Sequence, residues 1–141
     1  MAQVTTTMRP GRSSLWLPVF VALVVYATVL AKGEGVLNDP DVYSHIAVGR
    51  WILAHWAVPH QDPFSHSMPG APWVDHEWLS DVAMAWLYDH FGWTGLVVAT
   101  ALSFALAMAL LLRALLRYLD PAWALVGVVT AWGMCFPHLL A

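Results

Sequence analysis

The sequence contains few charged residues: Asp, Glu, Lys and Arg make up 11% of its 141 residues. Soluble domains carry about 25%, so this composition excludes an ordinary soluble domain and argues against a disordered or coiled-coil chain. Cysteine is also scarce, and the single Cys135 cannot form an internal disulfide, which excludes a disulfide framework. Six basic residues against nine acidic ones give a net charge of −3. Without a basic patch, nucleic acid is not an expected partner.

Apolar residues are abundant instead. They make up 60% of the chain, and the mean hydropathy is +0.62. Nine tryptophans are present, a residue that is enriched where a membrane meets water. The composition therefore predicts an all-α, polytopic integral membrane protein whose first partner is the lipid bilayer.

Three uncharged apolar runs predict transmembrane helices at residues 15–31, 96–112 and 123–141. Each of the first two covers about 25 Å at 1.5 Å per residue, which suits a thin or tilted span. The third run ends without an anchoring residue at the interface. We therefore expect the chain to be the N-terminal part of a longer polytopic protein, the alternative being a small three-span protein with a frayed last helix.

The distribution of basic residues predicts the topology. Two arginines precede the first predicted span and two follow the second. The positive-inside rule then places residues 1–14 and 113–122 in the cytoplasm and the loop of residues 32–95 outside. An alternative is that residues 1–31 are a cleaved signal peptide, and the loop lies outside in that case too.

The loop holds eight of the nine acidic residues and has two amphipathic patterns. Apolar residues recur at three- and four-residue steps over about 39–56 and again over about 75–91, which predicts two helices. A proline-rich connection, residues 58–73, joins them, and Gly92 and Gly95 break the second pattern before the next span. We interpret the pair as interfacial helices that lie on the outer membrane surface.

Two carboxylates flank a proline where the first loop helix is expected to begin. Asp39 and Asp41 could hold a divalent metal ion or share acid and base roles in catalysis. The alternative is a simple helix start, with a capping residue, Pro40 at the first helical position and an acid in the first turn. The sequence leaves both interpretations open.

A second cluster lies between two tryptophans: Asp75, His76 and Glu77. Clustered ionisable groups beside an apolar surface can have shifted pKa values, which suits proton transfer. The alternative is a capped helix with an aromatic anchor. Six of the seven histidines also lie in the loop, but their gaps lack the tight spacing of zinc sites, which favours interface histidines.

Four segments, in this order, resemble the N-terminal region of bacterial polytopic membrane proteins of the GT-C glycosyltransferase type. This group is related to protein mannosyltransferases, aminoarabinose transferases and oligosaccharyltransferases. The segments are DPD at 39–41, SHIAVGRWIL at 44–53, VPHQDPFS at 58–65 and PWVDHEWL at 72–79. The resemblance covers roughly residues 15–141. It departs from the expected pattern after the DPD motif, where Val42 and Tyr43 stand instead of a bulky aromatic pair.

The resemblance implies transfer of a sugar from a polyprenyl-phosphate donor to an acceptor on the outer face of the bacterial inner membrane. It implies that Asp39 or Asp41 is the catalytic base or a metal ligand, with Asp75, His76 and Glu77 as second candidates. It also implies many more spans, so that this stretch alone is not expected to be active.

A substrate-binding role for Arg50 follows from the same expectation. Its guanidinium could pair with the donor phosphate, the alternative being a surface ion pair with Asp or Glu.

The competing hypothesis for the whole chain is a non-enzymatic membrane subunit whose Trp-rich loop docks a partner. The donor sugar, the acceptor and the oligomeric state have no signal in the sequence.

Overall fold

The structure, a computed structural model, describes residues 15–139, and the side chains of residues 15–137. This part of the chain is all-helical and has no β-strand, which confirms the predicted class. Its helices are α1 (Trp16–Lys32), α2 (Asp41–His55), α3 (Trp78–Leu115) and α4 (Pro121–Cys135). Short 3₁₀ turns follow α1 at Gly33–Leu37 and α4 at Phe136–Leu139. The predicted tail, residues 1–14, and the last two residues of the third predicted span lie outside the described residues.

Two helical stretches are long and apolar enough to cross a membrane, Trp16–Leu37 with 22 residues and α3 with 38. The expectation of apolar, membrane-compatible helices is confirmed at this level. By contrast, α4 has 15 residues, which corresponds to about 22 Å at 1.5 Å per residue. A third span therefore stays a prediction.

The described residues form two compact units. The terminal unit comprises residues up to 31 together with those from 100 onward, and the central unit comprises residues 32–99. In the terminal unit, α1, the end of α3 and α4 share one apolar core, whose buried residues are Val25, Ala105, Met108, Leu112, Ala124 and Val128. Other large apolar side chains of this unit stay exposed, including Leu102, Leu106 and Leu110 at four-residue steps on α3.

The central unit contains α2, the first part of α3 and the connection between them. Its core is formed by Val42 and Ile46 of α2 and by Leu96 of α3, packed against partly buried residues such as Trp93. The Trp93 ring makes edge-on contacts with two tyrosines, at 5.3 Å to the Tyr43 ring and 4.9 Å to the Tyr88 ring. The first apolar positions of the first predicted loop helix, Val42 and Ile46, thus face the core of this unit, whereas Trp56 at its end is exposed.

The second predicted loop helix and the second predicted span follow one another directly in α3, which begins at Trp78 instead of residue 75. The predicted break is present at Gly92, whose φ of 62° and ψ of −155° are non-helical, so α3 consists of two helical segments joined at a kink. A glycine adopts this conformation without steric cost, so the helix resumes directly after it. Gly95, the other glycine predicted to interrupt the pattern, is helical.

Candidate functional site

The first feature of the site is a close approach between α2 and α3. Gly49 is buried on α2, and a Cβ atom added there would collide with the backbone carbonyl of Asp81 and lie 2.8 Å from the Cβ of Ala85. Ala85 itself is fully buried. Two small residues therefore let the helix backbones approach closely, and residues one turn away on each helix come within reach of each other.

His45, one turn before Gly49, occupies that position. Its Nδ1 atom lies 2.7 Å from Oδ1 of Asp81, a hydrogen bond that the imidazole N–H donates. Its Nε2 atom lies 3.6 Å from Oε2 of Glu77. Both ring nitrogens of one histidine thus face a carboxylate, and the three side chains place their ligand atoms within 4.8 Å of one another.

Asp81 is the most buried charged side chain of the described residues, at 2% exposure. It lies before Gly92 and outside the uncharged stretch of α3. Burial raises the pKa of Asp81 because it penalises the ionised form, while the hydrogen bond from His45 opposes this rise. Repulsion from Asp75 raises the pKa further. The Oδ2 atom of Asp75 is itself buried, and no donor among the described residues reaches it.

These groups line an open pocket of about 610 Å³ in the central unit. Four carboxylates and two histidines contribute to the lining, and none of the lining residues is Lys or Arg. The pocket is therefore anionic in character. The ionisable residues that line it are His45, Asp62, Asp75, His76, Glu77 and Asp81.

The connection between α2 and α3 folds into a hairpin-like loop that forms one wall of the pocket. Backbone hydrogen bonds join Asp62 to Ala71 at 2.9 Å and Trp73 to His60 at 3.0 Å. The Asp62 side chain accepts the N–H of Phe64 at 2.8 Å and so fixes the turn. Phe64 and Trp73, whose rings meet edge-on at 6.2 Å, both line the pocket.

The residues of the second predicted cluster come together in this pocket. Asp75, His76 and Glu77 all line it, and they directly precede α3. The Asp75 carboxylate accepts the N–H of Glu77 at 3.0 Å, a turn just before the helix, so the predicted cap at Asp75 stays a prediction. That hydrogen bond uses one oxygen, and the other is the buried Oδ2.

The first predicted pair, Asp39 and Asp41, does not line the pocket. Oδ1 of Asp39 accepts the N–H of Asp41 at 3.0 Å, and both residues are exposed at the start of α2. This geometry matches the helix-start alternative. A metal ion between these two carboxylates stays a prediction.

Arg50 makes the surface ion pair that the sequence analysis gave as its alternative role. Its guanidinium donates to Oδ1 of Asp89, through Nε at 2.9 Å and through a terminal nitrogen. The guanidinium also lies over the Tyr88 ring, 5.2 Å from its centroid. The hydrogen bonds from Arg50 lower the pKa of Asp89. Arg50 does not line the pocket.

Sequence reasoning missed His45 and Asp81 as members of the site. The available signal was spacing: His45 and Gly49 are four residues apart on one helix, and Glu77, directly before the next helix, is four residues from Asp81. Residues at this spacing share one face of a helix. The other histidines differ: Nδ1 of His55 and of His90 donates to the carbonyl four residues before it, at 2.8 Å in each case.

Comparisons with protein-family models, with curated protein sequences and with solved structures found no match for this chain.

Proposed function

We propose that this chain belongs to a membrane glycosyltransferase of the GT-C type, which moves a sugar from a polyprenyl-phosphate donor to an acceptor hydroxyl on the outer face of the membrane. The observation that carries the proposal is the acidic pocket of the central unit. It gathers Asp75, His76 and Glu77 with a buried aspartate in one cavity. The reaction class is taken from the resemblance of the four sequence segments to GT-C glycosyltransferases. The pocket is the site at which we propose that the reaction takes place.

The chemistry of the pocket suits the acceptor side of such a reaction. A hydroxyl becomes a better nucleophile when a group within hydrogen-bond reach takes its proton. Asp75 and Glu77 are the carboxylates that we propose for this role. Ligand pockets usually have volumes of about 300–1,000 Å³, and the 610 Å³ here is within that range. The Phe64 and Trp73 rings offer apolar surface against which a sugar ring can pack.

The membrane setting is part of the same proposal. Exposed apolar side chains cover α1 and the later part of α3, and lipid tails would remove them from water. We propose three spans, with residues 32–95 outside the bacterial inner membrane and residues 113–122 in the cytoplasm. The helix α2 and the first part of α3 would then lie at the outer surface, where the pocket can meet a lipid-linked substrate.

Two carboxylate substitutions test the proposal in the complete gene product. With a radiolabelled polyprenyl-phosphate sugar as donor, we expect Glu77→Gln or Asp75→Asn to lower sugar transfer by about 10²- to 10⁴-fold, the usual contribution of a general base. The matched control is Asp41→Asn, an exposed acid at the start of α2, which should keep the wild-type rate.

Two results would contradict the assignment. If only Asp41→Asn abolishes transfer, the base lies at the start of α2, as the resemblance implies. If the wild-type protein transfers no sugar in membranes that contain donor and acceptor lipids, the glycosyltransferase proposal is wrong.

A second candidate function is a docking or anchoring subunit, and the exposure of aromatic side chains favours it. Trp56 is 90% exposed and has a left-handed φ of 53°, a conformation that costs a bulky residue about 1–2 kcal/mol. Trp78 and Trp86 are also exposed. A docking surface would tolerate the carboxylate substitutions above and fail when Trp78 or Trp86 is replaced by Ala, which is the opposite pattern to that of an enzyme.

A further inference from the structure

The two contacts of the His45 ring differ in length, and the difference is informative. The Nδ1 contact with Asp81 at 2.7 Å is a normal hydrogen bond. The Nε2 contact with Glu77 at 3.6 Å is too long for one. Two atoms bound to the same tetrahedral ion at about 2.0–2.1 Å lie about 3.3 Å apart. The separation of Nε2 and the Glu77 oxygen is close to that value.

The hydrogen bond between Nδ1 of His45 and Asp81 is of the kind that orients histidine ligands in metal sites. A metal-binding histidine almost always donates its second ring N–H to a carboxylate, which fixes the ring orientation and leaves the first nitrogen unprotonated. Asp81 accepts this hydrogen bond from His45 and is almost fully buried. Nε2 of His45 is then free to bind an ion in the pocket.

The charge of the surroundings points to a cation independently of the His45 geometry. Four carboxylates line the pocket, with no Lys or Arg among the lining residues. The nearby Arg50 is held by Asp89. A bound cation would offset this excess of negative charge.

We propose that the pocket binds a divalent transition-metal ion, with zinc the best match, through Nε2 of His45 and the Glu77 carboxylate, while Asp81 orients the imidazole. A mixed set of imidazole and carboxylate ligands suits zinc better than magnesium, which prefers oxygen ligands alone. With two protein ligands, one fewer than in catalytic zinc sites, the remaining coordination positions are open to water or to a substrate oxygen. The proposal does not rest on the glycosyltransferase proposal, because it follows from the geometry and charge of the pocket. With Glu77 bound to the ion, Asp75 is the carboxylate that remains for the role of general base.

Direct binding measurements test the proposal on the 141-residue chain purified in detergent and stripped with a chelator. We expect one equivalent of Zn²⁺ to bind by calorimetry, Co²⁺ at the same site to give a visible absorption band, and Mg²⁺ at equal concentration not to compete. His45→Gln or Glu77→Gln should abolish binding. Asp81→Asn should weaken it by about 10- to 100-fold, the usual effect of losing such an orienting carboxylate.

The controls separate this site from the other candidates in the chain. His55→Gln removes an exposed histidine that contacts the carbonyl and the ring of Trp51, and it should leave zinc binding unchanged. Asp39→Asn with Asp41→Asn tests the metal site that the resemblance implies, and it should also leave binding unchanged. Glu77 is two-thirds exposed, with 66% of its side chain accessible, so Glu77→Gln should fold normally and lose only the ion.

Three outcomes would overturn the inference: no zinc binding by the wild-type chain, wild-type affinity in Glu77→Gln, or loss of binding only when Asp39 and Asp41 are replaced. These measurements use no sugar substrate, so their outcome is separate from that of the glycosyltransferase proposal. Zinc binding without sugar transfer would support this inference and contradict the glycosyltransferase proposal. Sugar transfer without zinc binding would contradict this inference and support the glycosyltransferase proposal.

Discussion

At the residue scale, the geometry of the pocket depends on Gly49. The backbone carbonyl of Asp81 occupies the space that a Cβ atom at Gly49 would need. A backbone carbonyl within a helix cannot move aside as a side-chain end can. Any larger residue at this position must therefore push α2 away from α3, which would lengthen the contact between His45 and Asp81.

The substitution Gly49→Ala tests this dependence. Alanine favours helix over glycine by about 0.5–1 kcal/mol, but overpacking of a tight contact costs about 1–3 kcal/mol. We expect a net decrease in the free energy of unfolding, measured by denaturant titration followed by circular dichroism. The matched control is Gly133→Ala on α4, where nothing lies within 4 Å of the added Cβ and the same exchange should be neutral or stabilising. A Gly49→Ala protein as stable as the control variant would show that the two helices can separate at no cost.

At the scale of secondary-structure elements, α3 combines two different roles. Its first turn carries Asp81 on the side that contacts α2, and Glu77 lies directly before it. After the kink at Gly92 the helix has no charged residue until Arg113. Only glycine readily adopts the backbone conformation found at Gly92. The change from a polar to an apolar segment therefore coincides with a change in helix direction.

Replacement of Gly92 by Ala should destabilise the protein by about 1–3 kcal/mol, the cost of holding a residue with a Cβ in this region of φ and ψ. No neighbour lies within 4 Å of the added Cβ, so a loss of stability would report backbone strain rather than a clash. Thr94→Ala, two residues further on in the helix, is the control and should have little effect. If Gly92→Ala unfolds at the wild-type denaturant concentration, the backbone at this position is not constrained.

At the scale of the whole molecule, the outside of the chain is unusually apolar. Large hydrophobic side chains are exposed on both helices of membrane-spanning length, and an aqueous setting would leave them in contact with water. The acidic residues are concentrated elsewhere, because eight of the nine lie in the stretch of residues 32–95. This segregation agrees with the proposed topology, which is based on the positions of the basic residues.

Single-cysteine labelling tests the orientation in the membrane. In a Cys135→Ala background, a cysteine at Ser67 should react with a membrane-impermeant maleimide applied to intact spheroplasts, because the positive-inside rule places residues 32–95 outside. A cysteine at Tyr118 should react only after permeabilisation. Both positions are exposed, so access across the membrane and not burial decides the result. If only the cysteine at Tyr118 reacts in intact spheroplasts, the orientation is the opposite of the one proposed. If both cysteines react in intact spheroplasts, the segment between them does not cross the membrane.

Local sequence patterns determined much of the fold. The apolar runs located α1 and the later part of α3, and the Asp39–Pro40 pair located the start of α2 to within about two residues. The polar segment between the two tryptophans also led to three residues of the pocket, Asp75, His76 and Glu77. These features were predictable because each depends on residues within one or two helical turns.

Tertiary structure decided the rest. His45 and Asp81 are 36 positions apart, and only the close packing of α2 on α3 at Gly49 and Ala85 brings them together. The same packing orients one imidazole between two carboxylates, which no spacing rule for metal sites describes. The sequence by itself determined where helices form and which stretches avoid water, because these follow from local conformation and hydrophobicity. The composition of the pocket was decided by the packing of two helices, because the groups that meet there are distant along the chain.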